Sequence, residues 1–189
     1  MRLNNYLIEG KSDPTAIFIG RVSPITVAHQ KIIADAIRKY SKVYIIIIEG
    51  FATSKLEKNF LTFDDRVDLL KITNHSAKPI LARKGFIPEI IQDNNIDTSK
   101  GIAIIAGSDR IDGYKKQFKN VDYNVIFDEI KRTDDDVSAS KVRKAVENDD
   151  YPTYARMIAK GLDSKKYFEL FKRAMKVKGF EQLESKKFY

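Results

Sequence analysis

Apolar and polar residues alternate along this chain in two different rhythms. Thr15 to Ile19, Val43 to Ile48 and Gly101 to Ala106 are short, nearly unbroken apolar runs. Runs of that kind predict strands buried on both faces, as in a parallel sheet covered by helices on either side. Pro79 to Ala82 and Tyr123 to Phe127 predict two further strands. Between them the apolar positions recur at helical spacing. Thr26 caps a helix whose inner face is Ile32, Ile33, Ala36 and Ile37 and which ends near Tyr40. Thr62, with Asp65 three residues on, forms a near capping box for a helix that turns Val67, Leu69, Leu70 and Ile72 inward. Phe86 to Gln92 predicts a third helix. Gly107-Ser108-Asp109-Arg110 opens a fourth, to about Phe118, and Ser138 opens a fifth, to about Glu147. Helices near Thr153–Lys160 and Ser164–Lys176 complete the pattern. Glu49 to Leu61 and Glu129 to Val137 read as polar or charged loops, and Tyr6-Leu7-Ile8 as an added edge strand.

Strands alternating with helices predict an α/β fold: a Rossmann-like, doubly wound parallel sheet with C-terminal helices and right-handed crossovers. In such sheets ligands bind beyond the carboxyl ends of the strands, where the strand order switches. The loops after strands one, two, four and five then share one edge. No linker composition divides the chain. The expected organisation is an α/β domain over 1–150, with 151–189 as a basic helical extension packed on that same domain.

Composition narrows the partners. The formal charge is +8. Ten Lys/Arg against four Asp/Glu in residues 151–189 place +6 of it there. The charge alone raises a nucleic-acid-binding reading, but it sits in a stretch with no recognisable reading motif, and Tyr167, Phe168, Leu170, Phe171 and Met175 supply an apolar helical face there. There is no apolar run long enough to span a membrane, and Arg2 to Pro14 is polar and mixed, which predicts no signal peptide. Cysteine is absent, which excludes disulfides and thiolate metal sites and fits a cytoplasmic location.

The chemistry gathers around Phe18 to Ile33. Gly20 lets the chain turn after the first strand, and Pro24 delays the helix. His29 then falls in the first helical turn, where free N–H groups and the dipole favour an anion. Gly20-Arg21 followed by Pro24 resembles the opening of nicotinamide mononucleotide adenylyltransferases. Pro24-Ile25-Thr26 followed by His29 and Ile32-Ile33 resembles phosphopantetheine adenylyltransferase. Both belong to the nucleotidylyltransferases with an H/T-x-G-H signature, in which Ala28 here replaces the glycine. Val137-Ser138-Ala139-Ser140-Lys141-Val142-Arg143 is similar to the serine-rich helix start that closes the active site in the same superfamily. Gly107-Ser108-Asp109 resembles its ribose- or base-holding segment. Asn59 to Arg66 resembles the acceptor loop of the nicotinamide enzymes at Asn59, Thr62 and Arg66.

The resemblance implies an adenylyltransferase that moves the nucleoside monophosphate of ATP onto a phosphate-bearing small molecule and releases pyrophosphate. Nicotinamide mononucleotide, giving NAD, is the first acceptor expected. Phosphopantetheine adenylyltransferase and cytidylyltransferase are the alternatives within the superfamily, and a non-catalytic structural relative or a nucleic-acid-binding protein are those outside it. His29, Thr26 and Arg143 are expected to be catalytic. Gly20, Arg21, Ser23, Gly107, Asp109, Ser138 and Ser140 would bind the nucleotide, and Lys55, Asn59 and Arg66 the acceptor, with Phe51, Phe60 and Phe86 as stacking platforms. Mg²⁺ is expected to arrive with ATP and keep most of its waters, with no protein metal cage. His75 is expected to be structural and Asp134-Asp135-Asp136 a solvated loop. A homo-oligomer completes the expectation.

Overall fold

The computed structural model describes residues 12–49, 61–74, 76–83, 85–130 and 137–185. In chain order the elements are β1 (Ser12–Gly20), α1 (Val27–Lys39), β2 (Tyr40–Ile48), α2 (Phe63–Thr73), β3 (Lys78–Ala82), α3 (Ile87–Asp93), β4 (Ile102–Gly107), α4 (Ser108–Gln117), β5 (Val125–Ile130), α5 (Ala139–Glu147), α6 (Tyr151–Met157) and α7 (Ser164–Ser185). The strands form one five-stranded sheet in the order β3-β2-β1-β4-β5. Every neighbouring pair is parallel. The chain winds outward from β1 to β3, returns to β4 on the other side of β1, and winds outward again. This is the doubly wound arrangement, and its switch point lies between β1 and β4.

Alternating side chains of each strand feed two cores. Ala16, Phe18, Ile45 and Ile47 face α1, α2 and the helices of the C-terminal third. Ile17, Ile19, Ile46, Ile102 and Ile104 face α3 and α4. The strand positions of both sets are almost wholly buried, which is why the central strands read as unbroken apolar runs. Tyr154, Met157, Ile158, Phe168 and Phe171 belong to the first of these cores. Lys172 Nζ also donates to Asp149 at 2.6 Å, fastening α7 to the turn after α5. No helix among the described residues is long and apolar enough to cross a membrane.

Three local expectations change. β5 continues to Ile130, into the stretch expected to be a charged loop, because the β4 ladder pairs Ala106 with Glu129 and Gly107 with Ile130. Ile72 is 41% exposed and Leu170 45%, although both were expected to face inward. Each stands two residues beyond a buried neighbour, Leu70 or Phe168, and two residues turn a helix by about 200°. Tyr6-Leu7-Ile8, His75 and Asp134-Asp135-Asp136 lie outside the described residues.

Candidate active site

Gly20 and Gly107 end the two strands that flank the switch point. The register of β1 and β4 pairs Phe18 with Ile105, so each glycine stands two residues further along its strand. A Cβ on Gly20 would come within 3.3 Å of the Phe18 ring. Gly107 is also the N-cap of α4 and has no side chain to offer that helix. Asp109, in the first turn of α4, is exposed, with Arg110 Nε 3.7 Å from its carboxylate.

The loop from β1 to α1 is held by two arginines that arrive from different helices. Arg66 of α2 donates from Nε to the Thr62 carbonyl and from Nη1 to the carbonyls of Arg21 and Ile48, each at 3.1 Å. Arg143 of α5 donates from Nη1 to the Ser23 carbonyl at 2.7 Å and from Nη2 to Ser140 Oγ at 2.9 Å. Between the two clamped carbonyls lies Val22, 1% exposed and at φ 49°. A buried β-branched residue in that region is strained, and the surrounding clamps hold it there. Ser23 is fully buried, and its hydroxyl has no hydrogen-bond partner among the described residues.

Arg66, expected to contact the acceptor, is engaged with backbone carbonyls here. It is 2% exposed, and its guanidinium braces the loops after β1 and β2 together with the start of α2. Burial lowers its pKa, against the opposing pull of Glu49 and Asp65. The capping box of α2 is present as expected: Thr62 Oγ1 accepts from Asp65 N, and the Asp65 carboxylate accepts from Thr62 N.

The start of α1 is built around Thr26 and His29. Thr26 is fully buried, and its hydroxyl accepts from the His29 backbone N–H. His29 Nδ1 accepts from the Thr26 backbone N–H at 3.2 Å and lies 3.1 Å from Thr26 Oγ1. A ring whose Nδ1 accepts a backbone N–H carries its proton on Nε2 when neutral. The Phe18 ring meets the imidazole edge-on, with centroids 6.1 Å apart. Thr26 thus orients His29.

The start of α5 differs. Ser138 is exposed and caps the helix by accepting from Lys141 N. Ser140 is exposed and bonded to Arg143. The pKa of Arg143 is lowered, first by burial and further by Arg21, with Glu147 opposing both. Arg21 and Arg143 thus bring two positive charges to one short loop. A polyanion placed there offsets a repulsion that the protein otherwise bears.

Lys55 and Asn59, like Lys58, Phe51 and Phe60, lie outside the described residues. Phe86 is not a platform near this edge. It lines a cavity of about 890 Å³ with Asn95, Ile96, Val121 and Tyr123, which lead into the amino ends of β4 and β5. Gln117 holds it there, accepting from Ile87 N and donating to the Gly85 carbonyl.

Gln30 went unnoticed in the sequence. Its carboxamide accepts from Lys160 N at 2.7 Å and donates to the Lys160 carbonyl at 2.9 Å. Beside it, Thr26 and Ile158 form an antiparallel bridge. The one sequence signal is its place next to His29, since the partner lies 130 residues away.

Known proteins carry related chains. Residues 17–145 match the family model described as cytidylyltransferase-like. An 82-residue stretch is 26% identical to the phosphopantetheine adenylyltransferase of Paraburkholderia xenovorans (strain LB400), covering 42% of this chain and 46% of that enzyme. The match thus spans about half the length of its curated relative. A bifunctional NMN adenylyltransferase/ADP ribose pyrophosphatase from Francisella tularensis, complexed with AMP and a manganese ion, superposes with TM-score 0.53 at 22% identity, over 71% of this chain and 42% of that one. The Plasmodium falciparum nicotinic acid mononucleotide adenylyltransferase complexed with NaAD gives 0.58 at 14% identity, over 84% and 97%. At such identities the structural likeness is one of fold.

Proposed function

The chain belongs to the cytidylyltransferase-like family, and from that premise we propose that it transfers the adenylyl group of ATP to a phosphate-bearing small molecule, with nicotinamide mononucleotide as the acceptor. One observation carries the reading. The turn holding His29 and the arginine pair Arg21 and Arg143 converge on a single clamped loop at the switch point of the sheet.

The acceptor's phosphate oxygen attacks the α-phosphorus in line. The bond from that phosphorus to the bridging oxygen breaks, and pyrophosphate leaves with the electron pair. This reaction needs positioning and charge neutralisation rather than a protein nucleophile. His29 Nε2–H donates to the phosphate oxygens on which charge builds, and the bonds from Thr26 aim it. Arg143 and Arg21, with the serines at the start of α5, neutralise the departing pyrophosphate. Gly20 and Gly107 let the nucleotide approach the backbone of β1 and β4. Among the described residues no group of three His, Asp or Glu side chains is suited to hold a metal. A divalent cation arriving with the nucleotide would supply further neutralisation of the phosphate charge.

The acceptor rests on Gly20-Arg21 and is supported by the two mononucleotide adenylyltransferases of like fold. Phosphopantetheine is the second reading, favoured by Pro24-Ile25-Thr26 and by the curated relative. The experiment is competition, with ATP and Mg²⁺ present and both acceptors at equal concentration. NAD as the dominant product is the expected result. Dephospho-coenzyme A would move the assignment to phosphopantetheine, and pyrophosphate release with neither acceptor would overturn both.

A further inference from the structure

The residues from Ile158 to Gly161 carry no motif, yet they lie against the turn that bears His29. Ile158 is 2% exposed and Ala159 1%. Ile158 leaves α6 in an extended conformation and bridges Thr26, and Ala159 N donates to the Ile25 carbonyl at 3.4 Å. Gly161, at φ 91°, then turns the chain towards α7. The strap is one short extended segment, and Gln30 completes it. A carboxamide has one donor and one acceptor side, and here both engage the same residue, as a neighbouring strand would. Gln30 Nε2 also lies 3.4 Å from the Thr73 carbonyl at the end of α2.

We propose that Gln30 is a positioning residue: its carboxamide fastens the 158–160 strap to the first turn of α1 and thereby fixes the ring orientation and tautomer of His29. The first turn of a helix has no intrahelical partners for its N–H groups, so it is the part most prone to open. Here one of those N–H groups, that of Thr26 at the cap, selects which imidazole nitrogen carries the proton. The strap holds the backbone of Thr26 in place from outside the helix. Without Gln30 the strap keeps its buried side chains and the backbone contacts at Ile25 and Thr26 but loses its paired tie to α1, the turn opens more often, and the proton is shared between the two ring nitrogens. The catalytic consequence rests on the adenylyltransferase reading; the structural consequence does not.

The test is therefore made first on ligand-free protein. The chain has two histidines, so His75→Gln leaves His29 as the sole imidazole. In that background the long-range ¹H–¹⁵N spectrum at high pH should show the Nε2–H tautomer, and Gln30→Ala should shift it towards the averaged pattern of a free imidazole. In the pyrophosphate assay Gln30→Ala should lower kcat ~10-fold or more while the KM for ATP stays within about 2-fold, because geometry is lost and not contact. Gln30→Glu keeps size and accepts from Lys160 N but cannot donate to its carbonyl, and should give a smaller shift in the same direction; it decides the matter if Gln30→Ala does not fold. A wild-type spectrum lacking the Nε2–H pattern would overturn the proposal. So would variants with lower Tm but an unchanged tautomer, which would make Gln30 merely structural. A tautomer that moves in a protein inactive towards every acceptor would support the positioning role and sink the adenylyltransferase reading alone.

Discussion

Two helix starts meet at the same loop, and they follow opposite plans. The start of α1 is sealed: Thr26 is fully buried, the capping box is reciprocal, and no Lys or Arg lies in the first turn. The start of α5 is open: Ser138 and Ser140 are exposed, Lys141 and Arg143 follow at once, and no acid shares the first turn. A buried cap around one imidazole makes a donor that needs no rearrangement when charge develops. An exposed, basic cap makes a clamp that can adjust to a long, charged ligand. The loop between them is where the plans meet, because Arg143 reaches back to the Ser23 carbonyl. On the proposed transfer the contrast is a division of labour, with rigidity at the reacting phosphate and adaptability at the leaving one.

The sharpest break is at the sealed end. His29→Ala should cost ~10²–10³ in kcat, the scale of one lost transition-state donor, while ATP binding stays within several-fold. Pyrophosphate release beside titration with a non-hydrolysable ATP analogue separates the two quantities. Undiminished turnover would remove His29 from the mechanism and with it the contrast.

The next test compares the two arginines on the loop. Arg66→Met removes the guanidinium that three partly buried carbonyls share and should destabilise the fold by about 3 kcal/mol in urea titrations. Its effect on ATP affinity, measured well below the transition, should be the lesser one. Little change in stability would mean that water replaces the guanidinium and that Arg66 is not a brace.

Arg143→Ala should show the reverse balance. ATP affinity should fall ~10-fold and depend less on salt, since one charge-assisted phosphate contact is gone. Stability should move by less than about 1 kcal/mol, because the side chain is partly exposed and water can take its place. Equal affinity and equal salt slope in variant and wild type would show that Arg143 holds the loop and nothing more. The smallest effect belongs to Ser138→Ala, which removes an exposed cap and should cost roughly 0.5–1 kcal/mol, with ATP binding weakened only a few-fold. A large loss of kcat in that variant would mean that the open end is as preorganised as the sealed one.

Much of this architecture was legible in the chain. The unbroken apolar runs identified the buried strands, because a strand covered on both faces has no polar side to display. Thr26, Thr62 and Ser138 marked the starts of α1, α2 and α5, because a cap is a contact between residues three apart and is written locally. Parallel order then brought the motif-bearing loops to one edge without any knowledge of side chains. Long side chains were a different matter. Arg66 matched an acceptor motif yet turned into the protein, because the carbonyls of Arg21 and Ile48 converge on it only once β1 and β2 are paired. Phe86 followed α3 towards the other end of the sheet, where Gln117 holds its loop. Gln30 found its partner across 130 residues. Sequence by itself determined the elements, their caps and the edge where chemistry gathers, since spacing along the backbone encodes all three. Which polar side chains face the ligand and which brace the loops was decided by tertiary structure alone, because a flexible donor goes where unsatisfied backbone groups converge, and those groups come together only in the folded sheet.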